Sequence, residues 1–96
     1  MPAGHVRTVR VRISGRVQGV GYRYWTERVA GEIGLSGWVR NRRDGTVEAV
    51  FSGPPEAVAE MLERCRDGPP SAQVTSADVR DGELEPAPGF EMLPTV

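Results

Sequence analysis

No lysine occurs among the 96 residues, and all twelve basic side chains are arginine. A P-loop that grips phosphate through its lysine is therefore excluded, and so is any lysine Schiff base. Cysteine and histidine are nearly as scarce, represented only by Cys65 and His5. One cysteine cannot close an internal disulfide, and the pair cannot supply a clustered zinc site, so no metal or staple is expected. No apolar stretch approaches the roughly 18 residues of a membrane span. The opening residues also lack an apolar targeting core, so a cytoplasmic protein with no membrane contact is expected. Neither sign of charge prevails: thirteen acidic residues against twelve arginines leave a formal charge of −1, and no general attraction to nucleic acid follows.

What is present suits one folded domain over residues 1–96, with 1–6 as a loose leading segment. Hydrophobic residues make up 39% and charged residues 26%, ordinary values for a globular chain too short for two cores. Thr8 to Gly15 alternates Val9, Val11 and Ile13 with Arg10, Arg12 and Ser14, the pattern of a strand with one packed and one wet face. Gly15 to Gly21 holds three glycines in seven positions and reads as a loop. From Tyr22 to about Ile33, Tyr22, Trp25, Val29 and Ile33 recur every three or four residues, and Gly34 follows as a C-cap, which predicts a helix. Leu35–Asn41 and Thr46–Ser52 read as strands joined by the turn Arg42-Arg43-Asp44-Gly45. Pro54-Pro55 opens a second helix to about Arg66, with Ala57, Val58, Met61, Leu62 and Cys65 on its apolar stripe and Glu60 paired with Arg64 outside. Ala72–Arg80 predicts a fourth strand whose alternation slips between Val74 and Ala77, the mark of a bulge. Phe90–Leu93 predicts a short strand at the sheet edge.

This order, βαββαβ with a short terminal strand, predicts an α+β ferredoxin-like sandwich in which two helices cover one face of an antiparallel sheet. In that topology the first two strands run parallel with the third between them. Their C-terminal ends then lie about 10 Å apart on one edge, which brings the glycine loop beside Asn41.

The loop is not a dinucleotide fingerprint, since Gly19-Val20-Gly21-Tyr22-Arg23-Tyr24 lacks the third glycine and a parallel sheet. Main-chain N–H groups converging at a helix N-terminus favour an oxyanion, and Arg23 in the first turn leans back toward them. Arg23 could equally pair with Glu27 along the helix face, and Asn41 could simply serve as a turn residue. Trp25 and Trp38 fit packing roles, and Cys65 fits an inert buried thiol. Arg42 and Arg43 fit a solvated turn, and His5 fits a bystander.

Three segments carry more than periodicity: Gly15-Arg16-Val17-Gln18-Gly19-Val20-Gly21-Tyr22-Arg23, Gly34-Leu35-Ser36-Gly37-Trp38-Val39-Arg40-Asn41 and Asp44-Gly45-Thr46-Val47-Glu48. In this order and spacing they resemble the acylphosphatase family, and the likeness runs on through Gly68-Pro69-Pro70 to Phe90-Glu91. Gly21 stands where relatives often carry a bulkier residue. The resemblance implies the ferredoxin-like sandwich and hydrolysis of the carboxyl–phosphate bond of small-molecule acyl phosphates, with no cofactor. It further implies that Arg23 and the main chain of Gln18, Gly19, Val20, Gly21 and Tyr22 cradle phosphate while Asn41 orients the attacking water. Inorganic phosphate would be a product inhibitor, and the chain would act as a stand-alone monomer.

The chemistry suits these residues. The departing carboxylate has a conjugate-acid pKa of about 4 and leaves without a general acid. The transition state asks mainly for charge stabilisation and an aligned water. Two other functions share the fold. A non-catalytic phosphate-ligand module would bind without turnover. An RNA-binding module would need stacking aromatics on the third strand, where only Phe51 occurs.

Overall fold

The computed structural model describes residues 5–96, and the chain is built as β1 (Arg7–Arg16), α1 (Tyr22–Ile33), β2 (Ser36–Asn41), β3 (Val47–Gly53), α2 (Pro55–Asp67), β4 (Gln73–Asp81) and β5 (Phe90–Met92). Residues 1–4 of the expected loose segment lie outside the described residues, and His5 and Val6 are exposed. The strands form one sheet in the order β4-β1-β3-β2-β5. β1 and β2 both pair antiparallel with β3, so their C-terminal ends share one edge as the topology required. The sheet is mixed, because β5 joins β2 in parallel, with Gly37 opposite Phe90. That outermost pairing needs the long return from β4, which strand alternation alone does not reveal.

The alternating apolar residues of the strands face the helices. Val9, Val11, Ile13, Val39, Val47, Ala49 and Phe51 meet Tyr22, Val29 and Ala30 of α1 and Val58, Met61 and Cys65 of α2 in one buried cluster. Side chains such as Ile13, Phe51 and Met61, at 0% exposure, contribute roughly 1.5–3 kcal/mol each. Phe51 stacks on Phe90 at 5.7 Å inside this core, so β3 offers no aromatic on the open face of the sheet.

Two local features differ from the expected outline. Gly15 and Arg16 belong to β1 rather than to the loop, pairing with Val74 and Gln73. The register shifts between Ser14 and Gly15, leaving Thr75 as the extra residue of a bulge where the alternation of β4 slips. The open face is also less wet than alternation implies. Glu48 is only 2% exposed, and the guanidiniums of Arg10 and Arg40 lie over the Trp38 ring, 5.4 and 4.7 Å from its centroid.

Candidate active site

The segment from Val17 to Gly21 connects β1 to α1 through glycines at positive φ, Gly19 at +73° and Gly21 at +80°. A Cβ at either would meet open space, so it is the left-handed backbone that calls for glycine there. Gly21 is the N-cap of α1: its carbonyl accepts from Trp25 N–H at 3.0 Å, and it offers no capping side chain. No acidic residue stands in the first turn. The first amides of α1 thus meet neither a capping oxygen nor a carboxylate of their own helix, and the helix dipole adds partial positive charge there.

Tyr22 anchors the loop from beneath. It is 1% exposed, its ring lies 5.4 Å from that of Trp25, and its hydroxyl donates to the Cys65 carbonyl at 2.6 Å in the last turn of α2. Burial pushes the Tyr22 phenol far above its usual range, and pushes the Cys65 thiol up to about 12, so neither ionises near neutrality.

Across β3, Asn41 ends β2. It and Arg23 line one recess of about 150 Å³, together with Val17, Gln18, Gly19, Gly21, Tyr22 and Tyr24. Of the five residues expected to cradle phosphate through their main chain, 18–22, Val20 alone lies outside this lining; it packs against the core instead. Tyr24 at the rim is 68% exposed, and its adjacency to Arg23 in the first turn was the only signal for it in the sequence. Asn41 Oδ1 is buried and accepts no hydrogen bond from any described residue. The turn beyond it is capped by Asp44 instead, whose Oδ1 accepts from Thr46 N–H at 2.9 Å and from its hydroxyl at 2.6 Å. Those contacts hold the Asp44 carboxyl below its usual range. This turn is thus capped by Asp44 rather than by Asn41 Oδ1.

Charge is distributed to match. Eight of the twelve arginines (7, 10, 12, 28, 40, 42, 64 and 80) have an acidic partner within 4.0 Å. Among the described residues Arg16, Arg23, Arg43 and Arg66 have none, and Arg23 does not pair with Glu27. Three of those four are close in sequence to the recess, at the end of β1, the start of α1 and two residues past Asn41. Arg42, expected to be solvated, instead reaches Glu48 at 3.0 Å. A larger hollow of about 500 Å³ lies at the far end of β1 beside His5, Arg7, Asp81 and Glu83. Two of its charged residues are already paired, Arg7 with Asp81 at 2.8 Å and Glu83 with Arg10 at 2.7 Å.

The fold thus sets a small α+β scaffold whose sheet edge carries a recess shared by Arg23, Asn41 and the start of α1. The sequence matches the acylphosphatase family over residues 9–92, and the chain belongs to that family. It is 54% identical to an acylphosphatase of Rhodospirillum rubrum over 91 residues, 95% of this chain and 100% of the relative. Among solved structures it superposes on the acylphosphatase of Bacillus subtilis with a TM-score of 0.87 at 37% identity, covering 93% of this chain and 99% of that one. The acylphosphatase of Coxiella burnetii gives 0.88 at 32% identity, covering 92% and 93%. By these relationships the chain is an acylphosphatase, and its substrate class is the acyl phosphates.

Proposed function

We propose that Arg23 and the amides of residues 18–22 hold the phosphoryl group of the acyl phosphate, while Asn41 aims a water at phosphorus. The observation that carries this reading is the buried Asn41 Oδ1, an acceptor with no protein donor on a residue that lines the same recess as Arg23. A buried acceptor left unpaired costs about 1–3 kcal/mol, so its retention favours a partner from solvent, and a water O–H fits. The water oxygen bonds to phosphorus as the bond from phosphorus to the acyl oxygen breaks, and that electron pair leaves on the carboxylate. A carboxamide is a poor base, so the water's proton passes to a phosphate oxygen. Arg23, a planar fork beside free helix amides, neutralises charge on the non-bridging oxygens as the transition state forms.

Phosphate release from benzoyl or acetyl phosphate tests the assignment. Arg23→Ala is expected to lower turnover about 10²–10³-fold and to weaken inhibition by inorganic phosphate. Asn41→Ala is expected to lower kcat about 10²-fold or more while changing phosphate inhibition less than about threefold. Near-normal turnover in both folded variants removes these roles.

A further inference from the structure

Residues 18–20 have no main-chain hydrogen bond to another main-chain group among the described residues, so the cradle is not held by a backbone ladder. The polar link of this stretch to the rest of the molecule is the Gln18 side chain, while Tyr22 ties the helix end of the cradle to α2. The Gln18 Nε2 donates to the Arg42 carbonyl at 2.7 Å and to the Thr46 carbonyl at 2.9 Å. These are the two ends of the β2–β3 turn, and Arg42 directly follows Asn41.

The turn does not need Gln18 in order to form. Arg42 N–H donates to Thr46 O at 2.9 Å, Gly45 N–H donates to Arg42 O at 3.0 Å, Asp44 caps Thr46, and the Arg42 guanidinium is held by Glu48. Each carbonyl that Gln18 meets already accepts one main-chain bond, and the carboxamide occupies its second lone pair. The bonds are therefore spent on joining two pieces that are otherwise separately built, one bearing Arg23 and the other bearing Asn41.

From this we infer that Gln18 is a positioning residue, which fixes the loop carrying the phosphate against the turn carrying Asn41 and so sets the line from water to phosphorus. This inference rests on the roles of Arg23 and Asn41 given above. Asparagine is one methylene too short to reach both carbonyls from the same backbone. Glutamate has the right length, but its ionised carboxylate has no N–H and would face two carbonyl oxygens.

The test uses the intact chain and its Gln18→Ala, Gln18→Asn and Gln18→Glu variants, assayed with benzoyl phosphate well below their unfolding temperatures. A misalignment of about 1 Å costs about 10²-fold, so kcat is expected to fall about 10–100-fold in all three at neutral pH. The inhibition constant for inorganic phosphate should stay within about threefold of the parent, because Arg23 and the helix amides remain. Relative to the parent at each pH, Gln18→Glu should recover as its carboxyl protonates and regains one O–H donor, and Gln18→Ala should not. That selective recovery is not expected of a residue that merely adds stability. Parent-like kcat in folded Gln18→Ala and Gln18→Glu, with Arg23→Ala and Asn41→Ala still crippled, overturns this inference and leaves the site assignment standing. A matching loss of phosphate binding overturns it too, by making Gln18 part of the anion grip. If Arg23→Ala and Asn41→Ala themselves stay active, the underlying reading fails first and takes this one with it.

Discussion

Among the described residues, Glu48 meets the largest number of guanidiniums. Its Oε2 accepts from Arg10 at 2.8 Å and its Oε1 from Arg40 at 2.9 Å and Arg42 at 3.0 Å, with Arg12 at 4.0 Å. Register explains the convergence: Glu48 stands directly opposite Arg12 on one neighbour and Arg40 on the other. Burial pushes its carboxyl up, but the hydrogen bonds from Arg40, Arg10 and Arg42 outweigh that, and the net position is below the ordinary 4.5. A carboxyl lowered on folding stabilises fully above its unfolded value, and that contribution disappears as pH falls through the native value. Glu48→Gln is thus expected to cost on the order of 2–3 kcal/mol near pH 7, because the guanidiniums lose their counter-charge. Thermal melts from pH 7 to 3 should show the gap between parent and variant closing below about pH 4.5. A gap independent of pH would mean that packing, not charge, is what the glutamate supplies.

At the scale of elements, α1 and α2 are fastened where each would otherwise be weakest. Tyr22, the first residue of α1, gives its hydroxyl to a carbonyl in the last turn of α2, where helical partners run out. Tyr22→Phe should lower stability by about 1 kcal/mol, read as a drop of about 4–8 °C in Tm for a domain of this size. In the parent protein, Cys65 is fully buried and its thiol titrates far above neutrality, so a disulfide exchange reagent should label it only on unfolding in denaturant. Rapid labelling of the native protein would show that α2 opens locally. The elements themselves were legible because their signals are local. The spacing of Tyr22, Trp25, Val29 and Ile33 with Gly34 behind them gave both ends of α1, and the slip between Val74 and Ala77 marked the bulge. Glu48 was not legible: in β3 it reads as an ordinary wet position, because the arginines that enclose it belong to neighbouring strands. Gln18 was read only for its main chain, while the partners of its side chain depend on where the β2–β3 turn comes to rest.

Across the whole molecule, strand order does what no single motif can. It brings Arg23 and Asn41, eighteen positions apart in the sequence, onto one recess, and this was legible because the βαββαβ order alone puts the ends of β1 and β2 on the same edge. The partnerless Asn41 oxygen and the exposed Tyr24 ring were not legible, since both depend on what the finished surface covers. The size of the recess then matters most. At about 150 Å³ it is well under the roughly 300–1,000 Å³ of pockets that enclose whole organic ligands. Acetyl and benzoyl phosphate should therefore differ less than about tenfold in kcat/KM, because the recess is too small to enclose their carbon skeletons. A hundredfold preference in parallel progress curves would contradict this. If the phosphoryl group sits in this recess as proposed, only the mixed-anhydride end of a substrate is inspected and the remainder hangs in water, which makes the selectivity one for a kind of linkage rather than for one metabolite.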